Sequence, residues 1–449
     1  MKRIIKVKLL PTKEERKKLR ELQLRCSCLY NRVNYLLRQQ YFSFGKVKVS
    51  EYSLYYIAKD LPEYRVLSSD IAQEVLKKLS EDWKSFLKLK EQQKKGELPP
   101  HIKKVNPPKY KKDRKKNQTL PMSIYIKSSR SYRLGNYSFE LTVPKDINDG
   151  RLRIRAKYSI PYEKVKSFGR TEIFCKVGEW WCYVSVNLPS RETKQFGDKI
   201  AGIDFGIRNL LTLAMETERE IEVFQFKSRE LVKDYKYWNK KIAKYQSAVS
   251  KNKHFRTKRL QKLYLKRDRR LKQSINAILN LVVNICKLRG VKKVYVGDLI
   301  GIREEKDFGK LNVLLHNFWV RAYIMKRLEE KLKEAGIGLI PIPEYNTSLK
   351  CFKCESKVKR PYQHYVICPE CGKLNGDLNG SVNVLKRGAK RERRKLSLET
   401  VSLYHFKWIK GEVNRWIPVE TGQADKPACR FLKEPTKSLL ILMRGSLMA

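Results

Sequence analysis

Apolar and polar positions change period along this chain, and the changes divide it into segments. Residues 3–9 (RIIKVKL) alternate with period two and predict a strand. Pro11 and Thr12 follow, then KEERKKLRELQLRCSCLYNRVNYLLRQQYF, in which Leu19, Leu22, Leu29 and Val33 recur at helical spacing. Thr12 is the expected N-cap. Further helices are predicted at 51–60 and 68–95, and the Pro- and Lys-rich run 96–119 ends them. Period two returns in SFELTV, RLRIRAKY, RTEIFCKV and WWCYVSVNL, short strands separated by turn residues, which predict a small β-barrel. Its aromatics (Tyr125, Tyr132, Tyr137, Trp180, Trp181, Tyr183) read first as core, with base stacking as the alternative.

Residues 199–214 predict two strands about a tight turn at Gly206, and 226–290 a long basic helical stretch broken near 250. Strand 291–297, amphipathic helix 315–335 and strand 337–343 come next, then a cysteine-rich segment and a short helix from Asp377 to Arg387. This order of hairpin, helices, strand, helix, strand, insertion and helix fits an RNase H-like fold, so the chain reads as multidomain α+β.

Charge narrows the partner. Lys and Arg number 99 against 46 Asp and Glu, a net charge of +53 spread almost end to end. Such an excess repels itself unless a polyanion neutralises it, and nucleic acid is the expected partner. No apolar run approaches the ~20 residues of a membrane helix, and the N-terminus lacks a signal-peptide apolar block. Cys26, Cys28, Cys175, Cys182, Cys286 and Cys429 are scattered, as reduced thiols of a cytosolic protein are.

Four further cysteines form the strongest single motif. Cys351-x2-Cys354, thirteen residues, then Cys368-x2-Cys371 supplies two chelating turns for one structural, tetrahedral zinc. Carboxylates bracket it. Asp204 ends an apolar strand in AGIDFGIRNLLTLA, where a hairpin turn also accounts for an aspartate. Asp377 opens GDLNGSVNVL, where it serves equally well as a helix N-cap. Phosphodiester hydrolysis on an RNase H-like sheet uses two divalent ions ~4 Å apart, and magnesium takes carboxylate oxygens. Three or more acidic groups are therefore expected to converge.

Taken together, GIDFGIRNLLTLA, TSLKCFKCES…YVICPECG and DLNGSVNVLKRG resemble the first RuvC motif, the target-nucleic-acid-binding zinc segment and the third RuvC motif of the TnpB family. These are transposon-encoded, RNA-guided DNA nucleases related to compact type V CRISPR effectors and Fanzor. The resemblance covers roughly residues 1–390 and is only architectural in the N-terminal half. It implies a first strand of a wedge β-barrel at 1–10, a helical recognition domain at 11–105, and the barrel at 106–196. It further implies a RuvC-like nuclease domain at 197–343, the zinc-binding segment at 344–375 and the third RuvC part at 376–390. A basic, loosely ordered tail is expected at 391–449.

The chain departs from the family at the second RuvC motif. VYVGDL carries Gly297 where the resemblance calls for glutamate, and alternation turns the adjacent Asp298 to the opposite face. Glu344 ends the next strand, one lateral step of ~4.8 Å away, and is the expected substitute, as in relatives that relocate this glutamate. Glu304 and Glu305 are weaker candidates. The expected metal ligands are thus Asp204, Glu344 and Asp377 for two magnesium ions, and the four cysteines for zinc.

The implied activity is RNA-guided cleavage of double-stranded DNA beside a short target-adjacent motif, in the prokaryotic cytoplasm on the nucleoid. A nuclease-inactive guided regulator is the alternative that Gly297 suggests. A transposase-associated strand-transfer protein is a third.

Overall fold

The computed structural model describes residues 2–99, 102–127, 131–159, 165–187, 197–206, 208–218, 220–250, 257–298, 320–343, 345, 347–362, 364–396, 398, 400–409 and 415–418. Glu304, Glu305, Glu344 and Cys429 lie outside the described residues, as do most of 391–449. The chain divides into two compact units, Met1–Ser190 and Arg191–Ala449.

In the first unit, strand β1 (Lys2–Leu9) leads into helix α1 (Lys13–Phe44). Thr12 and Glu15 cap that helix reciprocally: Thr12 Oγ1 accepts from Glu15 N (3.2 Å), and Glu15 Oε2 accepts from Thr12 N (2.7 Å). Helices α2 (Glu51–Ala58), α3 (Pro62–Arg65) and α4 (Ser69–Lys94) follow. Between α1 and α4 the buried Trp83 indole donates to Asn34 Oδ1 (2.9 Å), so this apolar interface carries a satisfied polar pair.

The remaining strands of the unit are short. β2 (Lys112–Asp113) and β3 (Gln118–Thr119) form a ribbon. β4 (Ile124–Ile126) is followed by β5 (Tyr132–Gly135), β6 (Ser138–Thr142) and β7 (Arg151–Arg155), which make a three-stranded sheet. β8 (Ser167–Lys176) and β9 (Glu179–Asn187) complete a four-stranded sheet in the order β1-β9-β8-β4. A bridge between Leu9 and Ala156 joins the two sheets. Tyr132 and Trp180 are core residues, whereas Trp181 and Tyr183 lie half-buried beneath the ammonium groups of Lys8 and Lys6. Tyr137 is exposed.

The second unit is built on one mixed sheet. Its elements are β10 (Lys199–Asp204), β11 (Asn209–Glu216), β12 (Ile221–Lys227), α5 (Arg229–Ser250), α6 (Lys258–Leu288) and β13 (Val291–Asp298). Next come α7 (Arg321–Glu334), β14 (Gly338–Pro343), the small strands β15 (Lys359–Tyr362), β16 (Tyr365–Cys368) and β17 (Gly372–Asn375), and helix α8 (Gly376–Arg391). β18 (Val401–Ile409) and β19 (Arg415–Pro418) follow. The strand order is β14-β13-β10-β11-β12-β18-β19. β10, β11 and β12 run antiparallel in succession, and β13 and β14 lie parallel to β10. One face packs on α6 and α7, and the other on α8 and the cysteine-bearing segment.

Two elements differ from the sequence expectation. Ile221–Lys227 is a strand buried on both faces, so it shows no alternation, and its basic end runs straight into the helical stretch. Val401–Ile409, placed by the sequence reading in a loose tail, is a strand paired in parallel with β12. Ser402, Tyr404, Phe406 and Trp408 alternate inward, a period-two signal that the preceding basic run had obscured. Among the described residues no helix is long and apolar enough to cross a membrane.

Candidate active site and zinc centre

Asp204 is the last residue of β10 and Asp377 the second residue of α8. Helix α8 lies directly on β10 at Gly202, where the strand carries no side chain. A β-carbon at Gly202 would lie 2.5 Å from Leu385 N and 2.8 Å from Ser381 O. One turn beyond Asp377, a β-carbon at Gly380 would lie 2.6 Å from Asp204 Oδ2. The Asp204 carboxylate therefore rests against α8 within about 5 Å of helix rise of Asp377. The turn after β10 reaches back toward the second carboxylate, since a β-carbon at Gly206 would come within 3.6 Å of Asp377 Oδ1.

The N-cap of α8 is Asn375, not Asp377. Asn375 Oδ1 accepts from Asp377 N (3.1 Å) and Leu378 N (3.0 Å), and Gln225 on β12 donates to the same oxygen (3.0 Å). Asp377 is thereby released from capping. Its Oδ2 accepts from Asn209 Nδ2 at 2.6 Å. Burial, the largest influence, pushes the Asp377 carboxyl above the usual range. The Asn209 hydrogen bond and the charges of Arg360, Arg208 and His364 oppose that rise. Among the described residues no third carboxylate, histidine or cysteine joins the two aspartates as a three-ligand group.

Gly297 lies in β13 and pairs with Ile342 of β14, which is buried on the α8 side of the sheet. The two strands are neighbours, as expected. Arg387 of α8 donates to the carbonyls of Pro343 and Tyr345, the residues on either side of position 344.

The four cysteines converge. Sγ atoms of Cys351, Cys354, Cys368 and Cys371 all lie within 4.8 Å of one another, with Cys354 and Cys368 at 3.3 Å. A tetrahedron with Zn–S near 2.3 Å needs sulfurs about 3.8 Å apart, so the set fits one zinc ion and leaves no open coordination position. Cys368 ends β16, and Gly372, at φ +72°, lets the chain turn into β17 directly after Cys371. Hydrogen bonding by Ser356 is the main reason Cys354 falls to about 7, whereas burial raises Cys351 and pushes Cys371 up to about 12.

Two asparagines tie this ribbon to α8. Asn379 accepts from Phe352 N (2.9 Å) and donates to Lys350 O (2.9 Å). Asn383 donates to Thr347 O (2.7 Å) and Lys350 O (2.8 Å). The carbonyl of His364 accepts from Gly376 N (3.0 Å), placing the β15–β16 turn at the start of the helix that carries Asp377.

The family model described as "Probable transposase" matches residues 183–303, and the "Cas12f1-like, TNB domain" model matches 322–384. TnpB-like protein ORF457 of Acidianus two-tailed virus is 31% identical over 415 residues, covering 85% of each chain. The chain belongs to the TnpB-like family. Family members at greater distance include a Cas12f1, named as a CRISPR-associated endodeoxyribonuclease, from an uncultured archaeon, 24% identical over 286 residues. That alignment covers 59% of this chain and 51% of the relative, so the chain spans about half that relative's length. In fold, this TnpB-like chain is similar to the Cas12f1 of a cryo-EM complex with guide RNA and target DNA, at TM-score 0.55 and 17% identity over 82% of this chain and 81% of that one.

Asp204, Asp377 and the four cysteines were legible in the sequence; the structure sets the Asp204 carboxylate of β10 against α8, which carries Asp377, and gathers the thiols into one cluster. Sequence reasoning missed Asn209, Asn375, Gly380 and Arg387. Asn209 had a signal, as a polar residue opening the largely apolar strand NLLTLAM.

Proposed function

We propose that this chain is an RNA-guided DNA endonuclease that hydrolyses phosphodiester bonds at a RuvC-like site. The juxtaposition of Asp204 and Asp377 across β10 and α8, beside a zinc ribbon, carries this reading. The order β12-β11-β10-β13-β14, with its antiparallel and parallel halves, fits an RNase H-like sheet. The two sheets of the first unit, joined at Leu9 and Ala156, fit a wedge barrel, and α1 to α4 fit a helical recognition insert. The names of the Cas12f1 relatives and the RNA- and DNA-bound solved structure support guide RNA and double-stranded DNA as partners.

Asp204, Asp377 and Glu344 would hold the divalent ions, and their oxygen donors suit magnesium. Glu344 follows β14 directly, two positions beyond Ile342, whose partner Gly297 removes a side chain from the neighbouring strand. When bound, two such ions activate water and stabilise the leaving oxygen. The protein's own residues orient the two aspartates: Asn209 holds Asp377, and the α8 backbone at Gly380 backs Asp204.

The test is cleavage of a plasmid library by protein co-expressed with its native flanking RNA, with and without magnesium, for wild type and Glu344→Ala. Magnesium-dependent cuts lost in the variant support the reading. Guided binding without cuts in the wild type would favour the regulator that Gly297 suggests. Joined transposon ends would mark strand transfer.

A further inference from the structure

We propose that Asn209 is a positioning residue that fixes Asp377 as a one-oxygen metal ligand; this rests on the metal-site reading above. The two oxygens of Asp377 have different surroundings. Oδ2 accepts from Asn209 Nδ2 at 2.6 Å, while Oδ1 lies toward Gly206, where no side chain stands. A carboxylate only accepts, so the amide nitrogen and not its oxygen must face Asp377. Asn209 is 6% exposed and sits at the first position of β11, so its rotamer is held by the sheet.

Asn375 takes the capping role at the helix end, which leaves Asp377 no competing backbone partner of that kind. A single turn between β10 and β11 thus supplies both the ligand Asp204 and the residue that aims the other ligand. Charge-assisted hydrogen bonds of this length orient a carboxylate strongly, and groups that orient metal ligands typically govern 10- to 100-fold in metal affinity.

The experiment is Mn2+ binding to the zinc-loaded full chain, followed by electron paramagnetic resonance. The wild type is compared with Asn209→Ala, Asn209→Leu and Asp377→Ala. Leu fills the volume of Asn without the donor, so packing is kept where Ala leaves a gap. The expected result is a Mn2+ dissociation constant raised about 10- to 100-fold in both Asn209 variants, with the wild-type number of bound ions reached at high Mn2+. Affinity within twofold of wild type in the Asn209 variants, with binding lost in Asp377→Ala, overturns the positioning role alone. So does a loss that high Mn2+ does not restore, because that marks a collapsed site. If Asp377→Ala binds Mn2+ as the wild type does, the metal-site reading itself fails.

Discussion

Gly380 shows how little room the candidate site has. Its α-hydrogen faces Asp204, and a methyl group there would stand 2.6 Å from Oδ2 and 3.2 Å from Cγ of that carboxylate. Gly380→Ala is expected to displace Asp204 and lower cutting at least about 10²-fold. Guide RNA binding should persist, as a filter-binding assay on the same preparation would check. Asp377 carries a different cost. Burial raises its pKa, so the folded metal-free protein holds that proton more tightly than the unfolded chain does. Its ionised form is therefore destabilising at neutral pH, and the penalty shrinks as pH falls below the folded pKa and is gone below the unfolded one. Asp377→Asn should raise the melting midpoint of the metal-free protein at pH 7 while abolishing cutting. Equal midpoints at pH 7 would show that the carboxylate is not strained by burial.

At the scale of elements, α8 organises the second unit. Removing one thiolate should free the ribbon from it: Cys351→Ser is expected to lose zinc, measured by atomic absorption. Asn383→Ala should keep zinc yet remove the donor to the Thr347 carbonyl and one of the two to Lys350, which keeps Asn379, at about 1–3 kcal/mol, and cut more slowly. The sheet has its own anchor at the far edge. Phe406 stacks on Phe226 (5.0 Å, 16°) and Tyr404 on Phe224 (5.1 Å, 17°), so β18 completes the core over β12. Phe406→Ala should destabilise the unit by about 3–5 kcal/mol, read by chemical denaturation.

Most elements were legible because their faces differ: α1, α4 and α6 each bury a stripe, and β7 and β9 alternate. β12 was not, because both its faces are buried and period two vanishes. The aspartates were legible as isolated charges at the ends of apolar strands or helices. Asn209, Asn375 and Gly380 were not, since their roles depend on which strand lies beside which helix, and that is set by sheet order.

For the whole molecule, charge governs encounter. With a net charge of +53, nucleic-acid binding should be strongly salt-dependent. If six to ten phosphates are neutralised, affinity falls roughly 10³–10⁵-fold between 50 and 200 mM salt. A titration of guide RNA across that range checks it, and a shallow slope would place most of the basic residues away from the backbone.

The hydrogen bond between Asn209 and Asp377 spans 168 residues of chain, and this separation has a consequence in time. During synthesis β10 and β11 leave the ribosome long before α8 exists to cover them. Until then Ile200, Tyr295 and the bare track at Gly202 face solvent, and neither aspartate has its counterpart. A truncated or stalled product is thus expected to be adhesive.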